Sequence, residues 1–401
     1  MRKYLVLSAT CFLGACGGAG ADVVSAPTPG NGSQSHSFAN PTEAKTYQGI
    51  GGTHTYSYNV QDRDCCRGQS GQLYQGNATT ARNSSISISY DPRDAIYTLS
   101  ITDNLSGANV ESRYQDPAQR TDFDGARQPQ FGTPRLANPN VTYLEAGSSS
   151  GGASLGTTDT PPFGIPEASA SATTLFVLKP GSETQYVTYA GYVRNDVTWT
   201  EETETLADET ENTYTLESLN LQRGAFAFGE LTNTANVPKS GGATYEGSML
   251  ATMVFNPTLD GQSQIGSAIL PSYFQWVEGT ANLAVDFGAD TVGLTLAGTA
   301  FPTQDDGVSG FSGEGVIAGG ATFSATGAGT INLANFGGFK GEFSQAGFVN
   351  PDGTRYDVNI AGSSLDGAFY GPAAEEVGGG FRIVGGTPDE RIDILGAFIG
   401  K

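Results

Sequence analysis

The sequence predicts an all-β chain: an irregular β-rich domain, then a C-terminal eight-stranded antiparallel β-barrel. Three observations lead there. Glycine occupies 56 of 401 positions, about twice its usual share. Abundant Ser, Thr, Tyr and Phe accompany it, a composition suited to short strands and turns. Apolar residues recur with period two in short runs, whereas Lys, Glu and Leu are too scarce for a coiled coil or long helical bundle. The length accommodates two folded domains and a sizeable core. The formal charge is −21, from 41 acidic and 20 basic residues. An acidic chain without a basic stripe repels phosphate, which excludes a nucleic-acid partner and a bare anionic membrane surface.

Residues 1–15 read as an export signal. Arg2 and Lys3 supply a charged start, and Tyr4 to Leu13 a short apolar stretch. That stretch is shorter than the ~20 residues of a spanning helix; a buried N-terminal helix or strand is the alternative. Leu13-Gly14-Ala15-Cys16 resembles the bacterial lipobox, in which cleavage leaves the cysteine first and acylated. The resemblance implies palmitate-type lipidation of Cys16. With Gly17 and Gly18 rather than Asp next, it also implies the outer membrane. Several acyl chains on one cysteine anchor stably where one is marginal. No other segment is long and apolar enough to span, so the lipid anchor is the expected membrane contact.

Residues 16–45 comprise the lipidated Cys16 and a flexible tether, with Gly, Ala, Ser, Pro and Asn dominant as in Ser25 to Gly32. Such composition buries too little apolar surface to fold. Residues 46–235 form the first β domain. Ser85-Ile86-Ser87-Ile88-Ser89-Tyr90 and Tyr97-Thr98-Leu99-Ser100-Ile101 alternate as half-buried strands, with a turn at Asp91-Pro92-Arg93-Asp94. A second group covers Thr174 to Leu178 and Tyr186 to Tyr189. Residues 115–173 are rich in Pro, Gly, Ser and Asn, as functional or disordered stretches are. The acidic run from Glu201 to Glu211 follows Trp199 and reads as a solvated edge or loop that discourages edge pairing; a partner-binding patch is the alternative. Cys65 and Cys66 are adjacent, either as two thiols in a loop or as a vicinal disulfide. No His or further Cys stands near enough for a metal site.

Residues 236–401 form the barrel domain. Leu283, Val285 and Phe287 alternate with polar or small residues, as do Val292, Leu294 and Leu296. Further strands are expected at Val316-Ile317, Thr322-Phe323, Gly341 to Phe343, Asp357 to Ile360, Phe381 to Val384 and Arg391 to Leu395. Eight strands close into a barrel that removes free edges and that side chains nearly fill. The apolar runs are short and broken by glycine, unlike a membrane-spanning barrel.

Gly367-Ala368-Phe369-Tyr370-Gly371-Pro372-Ala373-Ala374-Glu375-Glu376-Val377-Gly378-Gly379 resembles the signature near the end of the barrel in transferrin-binding protein B and its relatives. Phe369 and Tyr370 should face opposite sides. Gly371 and Pro372 should end the strand, and Gly378 and Gly379 should allow close packing or positive φ. Val237-Pro238-Lys239-Ser240-Gly241-Gly242-Ala243-Thr244-Tyr245-Glu246-Gly247 is similar to the segment opening that barrel. Tyr186 to Tyr192 is similar, more loosely, to a strand of the family's handle domain. The resemblance implies one handle-plus-barrel lobe. It identifies a fold and not a ligand. It further implies a surface lipoprotein that binds an iron carrier, haem or a similar solute for iron acquisition, in support of an outer-membrane transporter that is TonB-dependent. A structural or adhesive surface lipoprotein without a transport role is the alternative.

Catalytic chemistry finds little support. The two histidines are His36, in the tether, and His54, expected to be a solvated strand residue. A His-based metal cluster is therefore excluded, and a Ser-His-Asp triad would depend on His54. No P-loop or dinucleotide fingerprint stands out. The pairs Asp305-Asp306 and Glu375-Glu376 carry little weight as glycosidase carboxylates, and Asn350-Pro351-Asp352-Gly353 reads as a hairpin turn rather than a Ca²⁺ loop. No cofactor is expected. Haem is possible only as a ligand, with axial ligands from His54, Met249, Met253 or a Tyr. A binding protein is therefore expected rather than an enzyme. Ligand contact is expected on aromatic-bearing handle loops within 115–173 and around Trp199, because aromatics dominate interface hot spots.

Overall fold

Alternating and continuous apolar runs sort the strands into three packed layers. The computed structural model describes residues 36–63, 66–69, 86–102, 109–115, 132–150, 167–256, 273–302, 317–385 and 391–401. The signal, Cys16, most of the tether, the Cys65 and Cys66 side chains and much of 115–173 lie outside the described residues.

The first part of the chain supplies β1 (Lys45–Gln48), β2 (Ile50–Arg63), β3 (Cys66–Gln69), β4 (Ile86–Asp91), β5 (Ile96–Thr102), β6 (Asn109–Gln115), β7 (Val141–Ser150), β8 (Glu167–Leu178), β9 (Val187–Thr205) and β10 (Glu211–Gly229). They build a four-stranded sheet, β1-β4-β5-β6, and a six-stranded sheet, β3-β2-β10-β9-β8-β7, all antiparallel. Ile86, Ile88, Leu99 and Ile101 of the smaller sheet are buried against Leu175, Val177, Tyr192, Phe226 and Phe228 of the larger. Ser87 and Ser89, between the isoleucines, are half-buried.

The larger sheet is covered on both faces, which explains its unbroken apolar runs. In β8, Leu175 and Val177 face the small sheet, whereas Phe176 and Leu178 face the barrel wall. In β10, Phe226 and Phe228 take the first face and Ala225 and Ala227 the second. Burying each large apolar side chain stabilises by roughly 1.5–3 kcal/mol.

The barrel comprises β11 (Gly242–Asn256), β12 (Tyr273–Asp286), β13 (Thr291–Ala300), β14 (Thr322–Asn332), β15 (Gly338–Val349), β17 (Ile360–Tyr370), β18 (Glu376–Gly385) and β19 (Arg391–Gly400); the short β16 (Arg355–Asp357) adds to β15. The order β14-β13-β12-β11-β19-β18-β17-β15 closes through β14–β15, giving eight strands. Two expected strands differ. Ile317 lies in a turn before β14, and the Asp357–Ile360 run is broken at Val358-Asn359 between β16 and β17. Val358 is nonetheless buried, so its apolar character serves packing rather than strand continuity.

Phe323, Phe339, Phe343, Phe348, Phe369, Phe381 and Phe398 fill the barrel interior, with Ala251, Ala281 and Ala325 making room between them. Among the described residues the barrel interior is a packed core.

Candidate functional site

The barrel motif builds the joint between handle and barrel. Phe369 points into the barrel core, while Tyr370 points outward against the handle. Gly371 ends β17 at φ 86°, a conformation that side chains with a Cβ adopt only with strain. Gly367 lies under the Phe339 ring, and Gly379 against the Asp366 carbonyl. A Cβ on Gly378 would stand 2.7 Å from the Val187 side chain, so this glycine lets the handle approach the barrel wall. Pro372 directs the chain into the turn, where its carbonyl accepts from Asn236 at 3.2 Å. Glu376 is 3% exposed. Its carboxylate accepts from the backbone N–H groups of Gln185 at 2.6 Å, Tyr186 at 2.7 Å and Val187 at 3.2 Å. A motif carboxylate thus holds the chain entering β9.

Further along the joint, the structure corrects the reading of His54. It is fully buried, because β2 pairs with β10 and lies beneath the barrel wall. Its Nε2 stands 3.2 Å from Oδ1 of Asp393, itself fully buried on the outward face of β19. Arg382, on the neighbouring β18, donates Nε to Oδ1 at 3.0 Å and Nη2 to Oδ2 at 2.6 Å. Burial alone would raise the Asp393 pKa, but His54 and Arg382 hold it well below the usual carboxylate range. Arg223 is the register partner of His54 and 1% exposed; its Nη1 donates to the carbonyls of Arg194 and Gln222, and its guanidinium lies 5.5 Å from the Phe274 ring centre.

These residues escaped sequence reasoning. The available signal was a single outward charge in each of two otherwise apolar runs, Arg382 within Phe381–Val384 and Asp393 within Ile392–Leu395.

The expected ligand contacts fare differently. Trp199 is 2% exposed, opposite Ala168 and Glu217 in the sheet, so its ring is not offered to a ligand. Its burial follows from its position in the sheet rather than in a loop. Part of 115–173 straps the handle to the barrel. The Trp276 indole donates to the Gly132 carbonyl at 2.8 Å, and the Ala137 N–H to the Glu278 carboxylate at 3.1 Å. Met249 and Met253 are fully buried inside the barrel, and His54 is committed to the joint, which removes three of the suggested haem ligands. His36 accepts from the Thr42 N–H. Among the described residues, no group of three or more His, Cys, Asp and Glu is placed to hold a metal ion.

Two solvent-open features among the described residues bear on ligand contact. Residues 201–211 form the wholly exposed tip of the β9–β10 hairpin, in agreement with the solvated reading of the acidic run. A cleft of about 520 Å³ opens between the two handle sheets, with Phe38, Tyr47, Tyr90, Tyr97 and Phe228 among its walls.

A filled β-barrel carrying a two-sheet handle on its outer wall defines the class: a handle-plus-barrel lobe. Residues 237–401 match the family described as the C-lobe and N-lobe beta barrels of Tf-binding protein B. The match spans the whole barrel, so this part of the chain is similar to the barrels of that family. Among solved structures, the chain is similar to a tryptophan-to-alanine mutant of the vaccine antigen Transferrin Binding Protein B from Haemophilus parasuis. The identity is 13% over 90% of this chain and 79% of that one, with a TM-score of 0.23. A double mutant of the same antigen, with tyrosine and tryptophan replaced, gives 12% over 90% and 79%, with a TM-score of 0.22. Intact Ap-TbpB, with N and C lobes, gives 12% over 90% and 80%, with a TM-score of 0.22. No curated protein matches the chain.

Proposed function

We propose that the protein is an outer-membrane lipoprotein, anchored through acyl chains on Cys16 and displayed at the cell surface. There it captures an extracellular ligand for a TonB-dependent transporter. The observation that carries this reading is the barrel match over residues 237–401, to a family named for binding transferrin. The lipobox-like Leu13–Cys16 supports the anchor. The first ligand class is an iron-carrying protein such as transferrin, with haem or a similar solute second. The packed barrel interior supports ligand contact on outer surfaces, and on this reading the work of the protein is binding rather than catalysis.

The test is affinity capture. The protein, immobilised through its C-terminus, is exposed to host serum and to spent medium, and what it retains is identified by mass spectrometry. Selective retention of one iron- or haem-carrying partner is expected. An empty column, with unaltered iron-limited growth on gene deletion, would overturn iron capture in favour of a structural or adhesive role. Metabolic labelling with palmitate should mark the wild type and not Cys16→Ala.

A further inference from the structure

We propose that the cleft between the two handle sheets binds a small aromatic molecule carrying one anionic group. This inference stands beside the capture reading and does not rest on it.

The cleft's volume of about 520 Å³ falls within the range of small-molecule sites, which are mostly apolar with a few placed polar groups. Its floor is aromatic. Phe38, Tyr47 and Phe228 pack edge-on or tilted at centroid distances of 5.2–6.2 Å and are nearly fully buried. Tyr90 and Tyr97 line the same cleft as a tilted ring pair 4.5 Å apart, both half-buried. Partly exposed tyrosine faces beside a buried aromatic floor suit a flat aromatic guest, which gains offset or edge contacts beyond area burial.

The charged groups decide the guest's polarity. Lys45 Nζ lies 2.6 Å from both Glu230 oxygens, and the Tyr47 hydroxyl donates to the same carboxylate at 3.1 Å. That group is internally neutral. Lys179 and Glu43 are the other charged residues lining the cleft, both exposed. Among the described residues Lys179 has no carboxylate partner. It therefore supplies the countercharge for an acidic guest, while Glu43 opposes it.

Isothermal titration calorimetry of the full-length protein with 2-naphthoate tests this, with the neutral 2-naphthylmethanol as control. Naphthoate should bind more tightly than the alcohol. Lys179→Glu should weaken naphthoate roughly five- to tenfold and leave the alcohol unchanged. Glu43→Gln should tighten naphthoate about twofold. Thr142→Trp, which places a large ring at an exposed lining position, should abolish both while the circular dichroism spectrum stays the same. The inference is overturned if naphthoate does not bind below about 1 mM. It is equally overturned if Thr142→Trp leaves binding intact, or if acid and alcohol respond alike to Lys179→Glu.

Discussion

Asp393→Asn removes one charge and almost no volume from the handle–barrel joint. The wild-type carboxylate receives two hydrogen bonds from Arg382 and lies 3.2 Å from His54 Nε2. The asparagine leaves the partly exposed Arg382 and the buried His54 facing a neutral amide. Breaking a buried ion pair by removing one partner costs about 3–5 kcal/mol. Because the amide oxygen still accepts from Arg382, a loss near the low end, about 3 kcal/mol, is expected at pH 7. The pH dependence has a definite sign. The folded pKa of Asp393 is depressed, so its stabilising effect is complete above the unfolded aspartate value, near 3.9, and fades as pH falls toward the folded value. At pH 3 the gap between wild type and variant should shrink by about 1 kcal/mol. Urea unfolding at pH 7 and pH 3 reads this directly. Fluorescence is a suitable probe because Trp276, one of only two tryptophans, sits in the joint. A gap below about 1 kcal/mol at pH 7, or one unchanged at pH 3, would refute the assigned role of Asp393.

Other perturbations address separate parts of the fold. Glu376→Ala strands three backbone donors and should destabilise by about 2–4 kcal/mol, with faster hydrogen exchange concentrated at Gln185 to Val187. Gly371→Ala should cost about 1–3 kcal/mol in thermal unfolding, because φ is 86° and the new Cβ would stand 2.6 Å from the Glu375 carboxylate. Glu145 shows the opposite pH sign to Asp393. Burial pushes its pKa up to about 7, so the native state favours the neutral acid and the wild type loses stability as pH rises from about 4.5 to 7. Glu145→Gln should therefore stabilise at pH 8 by up to about 1 kcal/mol, since the group is only half-buried, and change little at pH 4. Leu206→Ser, at the exposed hairpin tip, should change the free energy of urea unfolding by no more than about 0.5 kcal/mol.

What was legible in the sequence follows from how many faces each strand buries. Ile86-Ser87-Ile88 and Leu283-Ala284-Val285 belong to strands with one buried face, and their period of two survives in the residue order. The barrel was readable for that reason, and because glycines and alanines mark where large rings need room. The middle sheet of the handle was harder. Leu175 to Leu178 alternates between two buried faces, so nothing in its composition says which side meets the barrel. His54 was misread for the same reason. Its neighbours Thr53 and Thr55 look like an exposed strand, yet all three are buried, because small polar residues let two layers approach closely.

The joint also explains why Trp199 misled. An aromatic before an acidic run resembles a displayed binding loop, but β9 carries its register past Trp199 before the hairpin leaves the sheet. The boundary between covered and exposed falls at Glu201, where the apolar residues stop. The charges in Phe381–Val384 and Ile392–Leu395 were the better clue. A buried run that is apolar on both faces except for one outward charge must neutralise that charge within the protein. In the Phe381–Val384 and Ile392–Leu395 runs of β18 and β19 the two exceptions, Arg382 and Asp393, neutralise each other and capture a histidine from the handle. The ion cluster therefore ties handle to barrel at one fixed register. A surface built from both parts is then presented preformed, which reduces the ordering cost of binding a partner.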